Sequence, residues 1–170
     1  MIIQSNGMGT QSVAMYYMSS MGKLPRFDYS IFVDTGAEKP ETYRAMEYMK
    51  KWAKANNGVP LIVLTGKNIA TDLSKKQNST KHRFSSIPGF TVNPFTGEVG
   101  KLRRQCTSEY KINQIQAKVK ELQGKGKTDR YDAFQNFIGI SIDEVTRISY
   151  AMIAKETKVF EIKWRKINES

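Results

Sequence analysis

Met1-Ile2-Ile3-Gln4-Ser5-Asn6-Gly7-Met8-Gly9-Thr10-Gln11-Ser12 is the stretch on which the reading of this 170-residue chain turns. A short apolar start passes into a loop of small residues and then into an apolar helical pattern. Strand, small-residue loop and helix is the order in which backbone N–H groups and a helix N-terminus hold a phosphate. Gly7 and Gly9 are expected to let the backbone turn sharply and approach an anion closely. Ser5, Thr10 and Ser12 add hydroxyls, and Gln11 adds an amide. The loop lacks the Gly-Lys-Ser/Thr ending of the Walker type and the third glycine of the dinucleotide fingerprint. By itself it reads equally well as a plain turn, so the residues downstream decide between the two.

Outward from the loop, the pattern predicts strand, helix, strand, helix, strand within 65 residues. Residues 2–5 read as a buried strand. Residues 12–21 read as a helix with Ala14, Tyr17, Met18 and Met21 inside. Tyr29-Ser30-Ile31-Phe32-Val33 is a β-branched and aromatic strand. Pro40 suits the first position of a helix, with Tyr43, Met46, Met49 and Ala53 on one face and Trp52 beside them, stopped at Asn57-Gly58. Residues 60–64 are a third strand. This alternation argues for an α/β chain with a parallel sheet and right-handed crossovers, where ligands sit at the carboxyl ends of strands. Residues 66–100 are polar and turn-rich, with a short helix expected over 69–76 and a hairpin tip at Asn93-Pro94-Phe95-Thr96-Gly97. They read as a lid-like insertion in one domain spanning 1–170. A helix starting near Ser108 would bury Ile112, Ile115, Val119 and Leu122 and stop at Gly124. Residues 134–142 are a fourth strand, and 159–164 alternate like another.

Composition narrows the partners. Hydrophobic residues at 39% and charged residues at 25% describe a folded chain. No apolar run approaches the ~20 residues of a membrane span. No basic start followed by an apolar stretch marks a signal peptide, so the cytoplasm is the expected compartment. One cysteine and one histidine leave no Cys/His zinc site, no disulfide framework and no iron–sulfur cluster from this chain alone. Lys and Arg number 27 against 16 Asp and Glu, a net charge of +11 that favours phosphorylated or polyanionic partners, nucleic acid included.

Four polar clusters fall at strand ends or helix starts, and a parallel sheet would bring them to one mouth: residues 5–12, 34–38, 103–107 and 141–147. The first offers amides to an anion. In the second, Asp34-Thr35-Gly36-Ala37-Glu38, the two carboxylates suit a phosphate-bound metal such as magnesium or a ribose hydroxyl. Arg103 and Arg104 suit bidentate phosphate or sulfate recognition. Asp143, Glu144 and Arg147 would close the site. Cys106 lies just after the arginines and before a helix start. Both neighbours would lower its pKa and make it a nucleophile, while a small buried packing residue suits the same place. His82 reads as a surface loop residue.

These residues together resemble the phosphoadenosine phosphosulfate (PAPS) reductase family of the PP-loop, adenine-nucleotide α-hydrolase-like superfamily. Ser5 to Ser12 resembles the modified PP-loop, Ser-x-Gly-Gly-Gly-x-Gln-Ser, of a phage and prophage subgroup. Phe32-Val33-Asp34-Thr35-Gly36 with Glu38 and Pro40-Glu41-Thr42-Tyr43 resembles the second-strand motif. Leu102-Arg103-Arg104-Gln105-Cys106-Thr107-Ser108-Glu109-Tyr110-Lys111-Ile112 is the most specific likeness. Ile138-Gly139-Ile140-Ser141-Ile142-Asp143-Glu144 with Arg147 is the fourth. The resemblance implies a Rossmann-like parallel sheet with helices on both faces, binding an adenine nucleotide, ATP or PAPS. Ser5, Gly7, Gly9, Thr10, Gln11 and Ser12 would hold phosphate or sulfate. Asp34, Thr35, Gly36 and Glu38 would lie by the ribose or the phosphates, and Arg103 and Arg104 would bind anions.

The chain departs from the family in two places. Gln11 stands where ATP-using relatives often carry Asp, which weakens a magnesium-dependent reading. No Glu-Cys-Gly-Leu-His tail is present, nor the Cys-containing C-terminal segment into which the phage subgroup often continues, so the expectation is a truncated or minimal form. The resemblance implies two enzymatic readings: sulfonucleotide reduction, with an external thiol donor, or nucleotidyl transfer with cleavage of ATP between its α and β phosphates. A non-catalytic binder of an adenine nucleotide or of nucleic acid is the alternative. No membrane partner is expected, a homo-oligomer is compatible with the sequence, and a phage-encoded chain would work in its bacterial host's cytoplasm.

Overall fold

The computed structural model describes residues 1–75, 90–101, 107–140 and 159–161. In chain order the elements are β1 (Ile2–Asn6), α1 (Thr10–Ser20), β2 (Tyr29–Val33), α2 (Pro40–Ala55), β3 (Leu61–Leu64), α3 (Ile69–Ser74), β4 (Phe90–Val92), β5 (Val99–Lys101), a π-helical segment (Ser108–Ile112), α4 (Asn113–Leu122), β6 (Gln135–Ile140) and β7 (Val159–Glu161). The chain is α/β. Among the described residues five strands form one sheet in the order β3-β2-β1-β6-β7. β1 pairs in parallel with β2 on one side and β6 on the other, and β6 pairs in parallel with β7. Beside β2, Ser30 N–H donates to the Pro60 carbonyl and Asp34 N–H to that of Leu64. Both numbers rise by four, so β3 is parallel as well. No helix among the described residues is long and apolar enough to cross a membrane.

The order places a reversal beside β1. The chain steps outward from β1 to β2 and β3, then returns to lay β6 against β1's free edge. In open parallel sheets the crevice beyond the carboxyl ends of two such strands is where ligands lie.

The chain divides into two compact units. The first holds Met1–Phe32, Pro40–Ile62 and Asp132–Ser170, and the second Val33–Lys39 and Val63–Tyr131. The core of the first is built from Ile3, Met15, Tyr16, Phe27, Ile31, Phe32, Met49, Val59 and Phe137, with the Phe27 and Phe137 rings 4.8 Å apart. Tyr110 and Val119 are fully buried in the second.

Two expected faces differ. In α1 the buried residues are Ser12, Met15, Tyr16 and Ser19, and Met21 is 55% exposed. The stripe is turned because hydrogen bonding lets polar groups into the core. Tyr16 Oη donates to the Val59 carbonyl at 2.7 Å, and Ser19 Oγ donates to the Pro25 carbonyl while accepting from Phe27 N–H. Ahead of α4, Tyr110 is buried while Ile112 is 45% exposed. The π-helical turn is wider than an α turn and moves Ile112 off the stripe that Val119 continues.

Candidate functional site

The loop between β1 and α1 is held from beneath by a buried polar relay. Gln4, Asn6 and Ser30 sit inside the sheet, Gln4 and Ser30 with no exposure at all. Gln4 Nε2 donates to the Ser12 carbonyl at 2.6 Å, and Ser30 Oγ donates to Gln4 Oε1 at 2.9 Å. Asn6 Nδ2 donates to Ser30 Oγ at 3.2 Å, and Met8 N–H donates to Asn6 Oδ1 at 2.8 Å. The relay therefore grips the loop at both ends, Met8 and Ser12. Among the described residues no buried side-chain N or O atom lacks a partner. A fully satisfied buried network of this kind rigidifies what it holds.

The sharp turn falls on a residue other than the two expected glycines. Met8 has φ +56°, while Gly9 is extended at φ −78° and ψ 164° and caps α1. The Asn6 side chain, accepting from Met8 N–H, stabilises this left-handed turn, and the Met8 side chain is buried against the core. Gly7 and Gly9 instead leave space. A Cβ at Gly7 meets nothing within 4 Å, and one at Gly9 meets only Gln11 Oε1 at 3.7 Å.

The N-terminus of α1 carries no side-chain cap and no acidic residue in its first turn. Its first amides have no intrahelical partner, and the helix dipole places roughly half a positive charge there. Thr10 is exposed and Gln11 half-buried. Ser5, expected as a phosphate donor, engages across the sheet, its Oγ donating to Asn136 Oδ1 on β6 at 2.9 Å. Gly139 of β6 lies directly against the first turn: a Cβ there would stand 2.7 Å from Ser12 N and 2.9 Å from the Gln11 carbonyl carbon. Only glycine admits that approach.

The second unit holds the turn after β2. Asp34 Oδ1 accepts the Gly36 N–H at 2.8 Å. Gly36 has φ +72°, and a Cβ there would collide with the Asn68 side-chain amide. Asn68 caps α3, its Oδ1 accepting from Thr71 N–H at 2.9 Å. The Thr35 carbonyl accepts the Ile69 N–H at 2.9 Å. Glu38 Oε1 accepts from Thr35 Oγ1 and from Lys111 Nζ, both at 3.1 Å. The carboxylate read as a metal or ribose contact is thus paired with a lysine of the π-helical segment. Next to that lysine, Tyr110 Oη donates to Asp72 Oδ2 at 2.7 Å. Among the described residues no three His, Cys, Asp or Glu side chains are grouped to hold a metal ion.

The other expected site residues, Arg103, Arg104, Cys106, Asp143 and Arg147, lie outside the described residues, as does His82. Sequence reasoning gave Gln4, Asn6, Ser30 and Gly139 no role of their own. Their signal was present as polar residues or a glycine inside strands otherwise apolar, the mark of a satisfied buried group or a close backbone approach. Lys111 and Asn68 carried no comparable signal, since a lysine or asparagine at a helix start is ordinary. No protein-family model, curated protein or solved structure matches the chain.

Proposed function

We propose that the chain binds an adenine nucleotide, ATP or PAPS, with a phosphate or sulfate on residues 7–12, as a member of the PAPS reductase family with an adenine-nucleotide α-hydrolase type of Rossmann-like sheet. The observation that carries this reading is the uncapped, acid-free start of α1, locked at both ends by buried side chains beside the reversal of strand order. An anion there would accept from the first-turn amides. The absence of side chains at Gly7 and Gly9 gives it room, and the hydroxyls of Thr10 and Ser12 lie within the same turn. The fixed relay means that little ordering accompanies binding, which favours affinity.

Nucleotide binding is tested by thermal unfolding with ATP, PAPS, AMP and inorganic sulfate. A nucleotide at a hundred times its dissociation constant should stabilise the chain by about 2.7 kcal/mol. An unchanged midpoint with every nucleotide sinks the reading. Chromatography for AMP with pyrophosphate, or for adenosine bisphosphate with sulfite in the presence of a dithiol, separates nucleotidyl transfer from sulfonucleotide reduction. Binding without either product set makes the chain a non-catalytic nucleotide binder.

A further inference from the structure

The second unit carries aromatic side chains into solvent. In the second unit β4 and β5 form an antiparallel hairpin, with Phe90 opposite Lys101, Thr91 opposite Gly100 and Val92 opposite Val99. Alternation along a strand puts Phe90, Val92 and Val99 on one face. That face is open, with Phe90 73% exposed, and Phe95 at the tip is 95% exposed. The tip is nevertheless tightly built. Asn93 Oδ1 accepts from Phe95 N–H at 2.9 Å, Asn93 N–H donates to the Glu98 carbonyl at 2.9 Å, and Gly97 N–H donates to the Asn93 carbonyl at 2.9 Å. Gly97, at φ +71°, takes the left-handed position that closes the turn. The Phe95 ring is therefore presented on a preformed support, which lowers the ordering cost of docking.

Charge identifies what docks. The second unit carries fifteen Lys and Arg against seven Asp and Glu, a net +8 of the chain's +11. Lys81 and Arg83 precede the hairpin in sequence, Lys101, Arg103 and Arg104 follow, and Glu98 is the one acid from 90 to 104. A second copy would bring +8 against +8, which opposes association. Exposed rings within a strongly positive unit match a ligand that has flat bases and a phosphate backbone together.

We propose that the β4–β5 hairpin is a docking surface for single-stranded nucleic acid, with Phe95 and Phe90 as stacking platforms for unpaired bases. The test uses the whole chain and fluorescence anisotropy with labelled oligothymidylate, oligouridylate and a duplex, each about twenty nucleotides long. A single strand should bind more tightly than the duplex, with affinity falling at least tenfold between about 50 and 200 mM salt. The preferred strand, DNA or RNA, names the ligand. Phe95→Ala should weaken binding about tenfold and Phe95→Trp should preserve it. Neither should move the thermal midpoint, because the ring is already in water. Equal affinity of Phe95→Ala and the parent, equal or better binding of the duplex, or no binding at the lower salt overturns the proposal. So does a dimer in sedimentation that Phe95→Ala dissolves.

Discussion

At the scale of single residues, the loop rests on Gln4 and Ser30, whose side chains have no exposure. Gln4 satisfies both the Ser12 carbonyl and the Ser30 hydroxyl. Gln4→Leu keeps the side-chain volume and takes the amide from the Ser12 carbonyl, at about 1–3 kcal/mol, while Ser30 Oγ keeps its bond from Asn6 Nδ2. We expect a loss of about 2 kcal/mol in urea unfolding with an unchanged m-value, and weaker nucleotide binding in the fraction that stays folded. Gly139 acts by what it lacks. Gly139→Ala drives a methyl to within 2.7 Å of Ser12 N, and backbone on both sides must move. The expected loss is about 1–3 kcal/mol, read in the same unfolding experiment.

The start of α1 is an element-scale feature, and one substitution separates its structural and binding roles. Thr10→Asp puts a carboxylate on the positive end of the helix. It should stabilise the chain by about 0.3–1 kcal/mol, raising the thermal midpoint, while competing with phosphate and lowering nucleotide affinity severalfold by calorimetry. A rise in both quantities would remove the anion from this helix end. Farther along the same helix, Tyr16 and Tyr17 pack edge-on against each other and against Trp52 of α2. Burial pushes both hydroxyls above the usual tyrosine value near 10, with neighbouring Tyr48 adding to the rise at Tyr17. The fold prefers the neutral phenols, so their contribution is fully present below the unfolded value. It is lost as pH rises through the folded value. Stability measured by urea should therefore fall above about pH 10, and Tyr16→Phe should flatten that alkaline limb. The variant should also lose about 1 kcal/mol at neutral pH with the bond to Val59.

Across the whole molecule, a net charge of +11 on 170 residues implies self-repulsion in the folded state. Salt screens it, with a Debye length of about 10 Å at 0.1 M. The thermal midpoint at pH 7 should rise between low and moderate salt, and a fall would place attractive surface pairs above the repulsion. Much of the architecture was written locally. Pro40 opens α2, Asn57-Gly58 closes it, and the run Leu61-Ile62-Val63-Leu64 is a strand, because caps, breakers and β-branched runs act within a few residues. The loop after β1 and the turn after β2 were legible for the same reason. The inward face of α1 was not, since Ser12 and Ser19 enter the core through hydrogen bonds that hydropathy does not register. The phase of Ile112 was lost to a π turn. By itself, the sequence determined an α/β chain with a loop of small residues between its first strand and first helix. Only the tertiary structure decided that β6 returns from more than a hundred residues away to lie against β1. With it come Gly139 against the start of α1 and Asn136 against Ser5. Strand order is set by long-range pairing and burial, and no local propensity carries that information.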